Sequence, residues 1–163
     1  MRVVILNMPN LIGLRDLAQV VGEKLRETTW TRIDPFDHLL DTADQHAEDV
    51  SSGLTEAIIT AVRAVHRGKS LILDWRLTKE MLPRFVSEVC RPDLSVDVVT
   101  ISPTMIALQN RAGVELHAKD RLALRRFFQA KRDRTPSTAM IDSFQKKPQM
   151  IADEIIRVLR LAR

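Results

Sequence analysis

The sequence is poor in several features that would point directly to a class of protein. It has a single cysteine, Cys90, so no internal disulfide can form, which is compatible with a reducing compartment. No apolar run approaches the roughly 18 residues of a membrane helix, and the amino terminus enters an apolar stretch at once, leaving no room for a signal peptide. No strict zinc-ligand spacing appears, so no metal site is predicted. We therefore expect a cytoplasmic protein without a membrane partner.

The composition is that of an ordinary globular domain. Of the 163 residues, 45% are hydrophobic and 28% are charged, as in soluble proteins with a packed core. This length is sufficient to bury a sizeable core in one unit. Because the chain has no internal repeat, low-complexity tract or linker, residues 1–163 are predicted to form a single domain.

The stretch from Val3 to Leu25 is the most informative part of the chain. It reads VVILNMPNLIGLRDLAQVVGEKL, and its first apolar residues do not alternate with polar ones, which favours a strand buried on both faces. After a short loop, apolar residues recur at helical spacing at Leu14, Leu17, Ala18, Val21 and Leu25. The stretch therefore predicts a strand, a tight loop and a helix, the unit that holds phosphate in P-loop proteins.

The same alternation of strand and helix continues to the end of the sequence. Strands are predicted at 3–6, 28–33, 71–73, 96–101 and about 139–141. Helices are predicted at 14–25, 54–65, 78–89, 105–111, 119–134 and 148–159, and the acidic segment 38–52 is a loop or an exposed helix. Such alternation indicates an α/β fold of three layers, with a mostly parallel sheet between helices.

The loop departs from the phosphate-binding consensus GxxxxGK[ST], in which backbone amides and the Lys hold the phosphates and the hydroxyl holds Mg²⁺. The consensus falls on MPNLIGLR, residues 8–15. Gly13 matches the second glycine, whereas Met8 replaces the first glycine, Leu14 the Lys and Arg15 the Ser or Thr. Asp16 adds a carboxylate that repels phosphate. The loop is therefore either a P-loop that has lost its function or an ordinary strand-turn-helix.

Charge is distributed unevenly along the chain. Residues 31–56 contain seven acids against one base, and residues 119–134 contain seven bases against two acids. The basic segment points to an anionic ligand or partner. Alternatively, it is a solvated basic helix that an acidic segment elsewhere balances.

Taken together, these motifs resemble the small P-loop kinases, especially the chloramphenicol phosphotransferase, shikimate kinase and nucleoside monophosphate kinase group. The resemblance covers nearly the whole chain as an ordered pattern. Its segments are ILNMPNLIGLRDLA, RIDPFDHLL, LILDW, VVTISPTMIALQNRAG, RLALRRFFQAKR and KPQMIADEIIRVL. In that order they are similar to the P-loop, the substrate-binding segment, the Walker B strand, the approach to the lid, the basic lid and the closing helix, with the lid-like segment at about 111–134.

The resemblance implies roles for particular residues. Asp34, or as second choice Asp37, would be the general base or would orient the substrate, although Asp34 could instead cap a helix before Pro35. Asp74 would orient Mg²⁺ or its water, and the loop residues that would contact the nucleotide are Asn10, Gly13 and Arg15. Four arginines would face the transferring phosphoryl group unless they are solvated: Arg111, Arg121, Arg125 and Arg126.

Three hypotheses for the function follow. The first is a catalytically impaired kinase relative that binds a small anionic or nucleoside-like ligand or a partner protein. The second is an active phosphotransferase of small molecules or nucleotides with an altered donor site, which would use ATP and Mg²⁺ only if the altered loop still binds phosphate. The third is a nucleic-acid-binding accessory protein, but the chain has no tyrosine and the basic segment offers only Phe127 and Phe128 for stacking.

Overall fold

The structure is a computed structural model that describes residues 1–9, 11–25, 28–32, 46–89, 91–103, 116–129 and 131–161, with the backbone alone at 46–52 and 161. The strands are β1 Arg2–Asn7, β2 Thr28–Arg32, β3 Ser70–Asp74, β4 Ser95–Ile101 and β5 Ala139–Ile141. The helices are α1 Leu17–Lys24, α2 His46–His66, α3 Met81–Val89, α4 Ala118–Gln129 and α5 Pro148–Leu161. Short 3-10 turns occupy Ile12–Leu14 and Arg132–Arg134.

The five strands form one parallel sheet in the order β2-β3-β1-β4-β5. β1 lies at the centre, where Val3 is in register with Leu71 of β3 and Val96 of β4. The predicted central strands and their parallel pairing are confirmed. The predicted short strands at 28–33 and about 139–141 are also present, and they form the two edges of the sheet.

Each face of the sheet packs against its own pair of helices, because the apolar residues of β1 point alternately to either side. Val3 and Ile5 belong to a core with α2 and α3, and this core includes an aromatic contact between Trp75 and Phe85, whose ring centroids are 5.4 Å apart. Val4 and Leu6 belong to the other core, with α1 and α5. The three-layer α/β architecture predicted from the alternation of strands and helices is therefore confirmed.

Four predicted helix boundaries differ from the structure by three residues or more. One is the start of α3, which lies at Met81 and not at residue 78. α1 begins at Leu17 because a 3-10 turn takes up the preceding residues, and α2 begins at His46 and passes through Gly53. The basic segment is not one helix: α4 ends at Gln129, and the backbone of Lys131 adopts a left-handed conformation with a φ of 51°. The helix predicted at 105–111 lies outside the described residues.

The apolar face of α4 also differs in one residue. Leu124 is buried as expected, but the second buried residue is Phe127 rather than Phe128, which is half-buried. Among the described helices, none combines the length and apolarity that crossing a bilayer requires.

Removal of the Phe85 ring should destabilise the fold strongly. The side chain is fully buried and packs against Trp75, so we expect Phe85→Ala to lower the free energy of unfolding by about 3–5 kcal/mol. Urea denaturation followed by circular dichroism measures this change. Met150→Ala is the control, because Met150 is largely exposed on α5 and its truncation should change the stability by less than about 0.5 kcal/mol. Equal effects of the two substitutions would contradict the described core.

Candidate functional site

The polar residues that end three neighbouring strands lie at the carboxyl edge of the sheet, since parallel strands end on the same side. Asn7 ends β1, Arg32 ends β2 and Asp74 ends β3. Asp74 is in register with Leu6 on one side and with Arg32 on the other. In open α/β sheets, ligands bind at this edge, so these strand ends define the candidate site.

Asn7 is fully buried and connects three segments at this edge. Its side-chain oxygen accepts a hydrogen bond from the Leu77 amide at 3.1 Å. Its side-chain nitrogen donates to the Arg132 carbonyl at 2.9 Å and to Thr100 Oγ1 at 3.3 Å. One side chain thereby fixes the position of the segment after β3 and the turn before β5 relative to β1.

The loop after β1 directs into the core the two apolar residues that replace consensus residues. Met8 is 2% exposed and Leu14 is 4% exposed, and both belong to the core that β1 forms with α1 and α5. Gly13 and Arg15 are exposed. A Cβ atom added to Gly13 would meet no atom within 4 Å, so the space around this glycine does not require its small size.

Backbone amides of this loop donate hydrogen bonds within the chain. The Leu11 amide donates to the Pro9 carbonyl at 2.8 Å, and the Leu14 amide donates to the Leu11 carbonyl at 3.0 Å, which forms the 3-10 turn. The Ile12 amide donates to Asp120 Oδ1 of α4 at 2.9 Å. A carboxylate of the basic helix α4 therefore contacts an amide of the loop, the group that binds phosphate in a working P-loop.

The carboxylate of Asp74 lies close to the guanidinium groups of two arginines, Arg32 and Arg76. Its side chain is 1% exposed; Oδ2 accepts a hydrogen bond from Arg32 Nε at 2.6 Å, and Oδ1 lies 3.9 Å from Arg76 Nη1. Arg32 also donates through Nη2 to the Arg15 carbonyl at 2.7 Å. The end of β3 is thus connected by this arginine both to the end of β2 and to the segment between the loop and α1.

A basic cavity of about 350 Å³ opens near the start of α3, lined by Lys79, Glu80, Lys131 and Arg134. Its two walls are held together through Thr135, whose hydroxyl donates to the Leu77 carbonyl at 3.0 Å. The Asn7 side chain bonds to the same two segments. Three exposed bases against one acid favour an anion in this cavity.

Comparisons with known proteins identify the architecture. No family model matches the sequence, and no curated protein has a significantly similar sequence. The tunicamycin resistance protein of Deinococcus radiodurans is similar in structure, with a TM-score of 0.56 and 17% identity over 97% of this chain and 95% of that chain. A sugar kinase from a Janibacter species has a TM-score of 0.62 and 16% identity over 99% and 96% of the two chains.

Shikimate kinase from Aquifex aeolicus is a third similar structure, with a TM-score of 0.58 and 13% identity over 98% of this chain and 96% of that chain. The chain has a P-loop kinase-like fold. At these identities the likeness extends to the fold alone. The P-loop kinase-like fold accounts for the strand-loop-helix unit at residues 2–24 and for the position of the candidate site at the carboxyl edge.

The structure describes some of the predicted site residues of this kinase-like fold. Gly13, Arg15 and Asp74 lie at the carboxyl edge of the sheet. On α4, Arg121 and Arg125 are exposed and Arg126 is half-buried. The other predicted site residues lie outside the described part of the chain: Asn10, Asp34, Asp37 and Arg111. The roles assigned to all of these residues stay predictions.

Sequence reasoning did not identify several residues of the candidate site: Asn7, Arg32, Lys79 and Asp120. A signal for Asn7 was present, because a polar residue ends an otherwise apolar strand that is buried on both faces. The contact of Asp120 with the loop had no signal, since the two residues are 108 positions apart. Among the described residues, no group of three histidine, cysteine or acidic side chains is arranged to hold a metal ion.

Removal of the Asp120 carboxylate should expose the Ile12 amide. We expect Asp120→Ala to accelerate hydrogen exchange at the Ile12 amide about tenfold, because a hydrogen bond to a charged acceptor is lost. Hydrogen exchange followed by NMR measures this rate. The control is Asp16→Ala, which removes a nearby exposed carboxylate for which the described residues show no bond to this amide. An unchanged exchange rate in Asp120→Ala would contradict the contact.

Proposed function

We propose that this protein has a degenerate phosphate-binding loop, is impaired as a kinase, and acts by binding a small anionic or nucleoside-like ligand. The observation that carries this proposal is the burial of Leu14, which occupies the sequence position of the consensus Lys and packs into the core below the loop. A side chain directed into the core supplies no charge to a phosphate. Because phosphoryl transfer depends almost wholly on positioning and charge stabilisation, this loss affects the chemistry directly.

Two further contacts support impaired binding of ATP and Mg²⁺. The Asp120 carboxylate accepts a hydrogen bond from the Ile12 amide. A phosphate group would have to displace this carboxylate to reach the amide. Asp74 is paired with Arg32 at 2.6 Å. A Mg²⁺ ion or its water at Asp74 would have to compete with this guanidinium and approach a second one on Arg76.

The ligand proposed here is a small anion, and the basic cavity at the carboxyl edge supports it. The cavity of about 350 Å³ is within the usual range of small-molecule sites. Its bases come from two segments, Lys79 from one wall and Lys131 and Arg134 from the other. The concave shape favours a small ligand over the alternative of a partner protein, whose interface would be larger and flatter.

The other two hypotheses have weaker support. An active phosphotransferase would need a replacement for the consensus Lys, and the adjacent base, Arg15, stands at the sequence position of the Ser or Thr that holds Mg²⁺, next to the exposed carboxylate of Asp16. A single-strand nucleic-acid-binding role would need exposed aromatic side chains for stacking. On the basic helix α4, Phe127 is 1% exposed and packs edge-to-face against Phe128 with ring centroids 5.9 Å apart, and the exposed aromatic side chain of Trp30 lies on β2 and not on this helix.

The first prediction of this proposal concerns the nucleotide. Calorimetric titration with ATP and Mg²⁺ should show no binding tighter than about millimolar, which corresponds to about 4 kcal/mol of binding free energy. Gly13→Val is an informative variant, because the site of its added Cβ is open and the substitution should leave the fold unchanged. Micromolar ATP binding that Gly13→Val abolishes would overturn the proposal in favour of the active phosphotransferase.

The second prediction concerns the basic cavity. In a thermal-shift panel of nucleotides, sugar phosphates and small carboxylates, we expect stabilisation by an anion without Mg²⁺; a ligand at a hundred times its dissociation constant adds about 2.7 kcal/mol. Lys131→Glu should abolish this stabilisation, whereas Lys119→Glu, the same charge change at an exposed position on α4, should not. An equal loss in the two variants would show that the binding reflects overall charge and not this cavity.

A further inference from the structure

A second cavity lies at the opposite, amino edge of the sheet, away from the site proposed above. Its volume is about 400 Å³, and its walls include the first residues of three strands, Arg2 of β1, Thr28 of β2 and Ser70 of β3. Arg2 and Asn7 are the two ends of β1, so this edge is separated from the carboxyl edge by the length of the strand, about 16 Å. A ligand in this cavity would therefore not touch the kinase-like site.

The floor of this amino-edge cavity is apolar. Val4 lines it from the sheet, and Ile156 and Leu159 line it from α5. These side chains belong to the core or border it and are almost completely buried. The cavity is therefore an opening at the end of the α1-α5 layer, and its floor can cover the apolar part of a ligand.

The rim of the cavity is basic. Arg2, Lys24 and Arg160 line it, and Arg157 lines the groove that continues from it along α5. Among the described residues that line the cavity and the groove, Asp153 is the only acidic one. This arrangement combines cations at the rim with hydrocarbon at the floor.

Two of the four bases already have anionic partners. Arg2 Nε donates to Asp97 at 2.5 Å, and Arg2 Nη1 donates to the Leu159 carbonyl at 2.6 Å, so this side chain is fixed in position. Lys24 pairs with Asp153 at 2.5 Å, but both side chains are substantially exposed, and such a surface pair contributes little to the stability. The Lys24 ammonium is therefore able to exchange partners.

Arg157 and Arg160 are the other two of the four bases that line the cavity and its groove. Within the described part of the chain, neither has an ion pair. Both lie near the carboxyl end of α5, where a cation is favoured by the helix dipole, but that interaction leaves their donors available to a ligand. These four bases against Asp97 and Asp153 give the cavity and its groove an excess of two positive charges.

We propose that the amino-edge cavity binds a small organic anion with an apolar body, its carboxylate, sulfonate or phosphate at Arg160 and Lys24 and its hydrocarbon on the floor. Ser70 also lines the cavity, and its hydroxyl oxygen accepts a hydrogen bond from the Arg2 backbone amide at 3.3 Å. The apolar floor separates this ligand class from inorganic ions. The excess of positive charge separates it from neutral lipids and alcohols.

The test uses the full chain and 8-anilinonaphthalene-1-sulfonate, an aromatic sulfonate whose fluorescence rises when its rings leave water. We expect saturable binding that Arg160→Glu weakens about tenfold or more, because a charge-assisted hydrogen bond is replaced by repulsion. Arg160→Gln, which removes the charge without reversing it, should have a smaller effect. Arg84→Glu is the matched control: Arg84 is an exposed arginine on α3, on the other face of the sheet, and its substitution should change the affinity less than twofold.

Competitors at equal ionic strength test the ligand class. Octanoate should displace the probe at a lower concentration than 1-octanol or inorganic phosphate, since it alone combines the charge with the apolar chain. Displacement by phosphate as effective as by octanoate would overturn the proposed class. Equal affinities of Arg160→Glu and Arg84→Glu would overturn the site.

Lys131→Glu separates this proposal from the proposed function. Lys131 lies in the carboxyl-edge cavity, so the variant should retain the binding of the aromatic sulfonate. Loss of binding in Lys131→Glu with retention in Arg160→Glu would overturn the amino-edge site and leave the carboxyl-edge proposal standing. Thermal unfolding of each variant, with midpoints that match the wild type, shows that a change in affinity does not come from unfolding.

Discussion

The arrangement of the carboxyl edge depends on the side chain of Asn7. It is the buried polar group at the end of the central strand, and it bonds to an amide after β3 and to a carbonyl before β5. An apolar residue there would leave those two buried backbone groups without this partner, at a cost of about 1–3 kcal/mol for each. The side chain of Asn7 and the hydroxyl of Thr135 together hold Leu77 and Arg132 in place. The residues that line the basic cavity are near neighbours of these two in sequence, so the cavity depends on the same bonds.

The loop beside Asn7 follows a different constraint, that of core packing. Met8 and Leu14 bury their side chains beneath it, and a 3-10 turn uses the amide of Leu14 within the loop. A phosphate-binding loop needs the reverse arrangement, with amides directed outward and a cation above them. Burial of each apolar side chain stabilises the fold by about 1.5–3 kcal/mol, so the sequence at these positions favours stability of the loop over binding of an anion.

The sequence was sufficient to predict the sheet, because β1 and β3 contain uninterrupted apolar runs and β4 is rich in valine and isoleucine, and all three lie between helical patterns. Helix ends were less predictable. The helical pattern of the basic segment continues past Gln129, but the backbone turns at Lys131 to bring Arg132 against Asn7, and that contact joins residues 125 positions apart. The same limit applies to Asp120 and Ile12, and to Arg32 and Asp74. Local pattern does not encode which side chains meet across a fold, so the site was predictable only as an edge of the sheet.

The distribution of charge illustrates the same point. The basic run at 119–134 is conspicuous in the sequence, yet two of its bases, Lys131 and Arg134, line the carboxyl-edge cavity, while the exposed Arg121 and Arg125 are not among the residues that line it. The bases of the amino edge are dispersed over the chain and do not form a basic run in the sequence. They are Arg2, Lys24, Arg157 and Arg160. They converge because parallel strands begin at one edge and because α1 and α5 both end there. The position of an electrostatic site is therefore determined by the directions in which the strands and helices run. The density of charge along the sequence does not predict it.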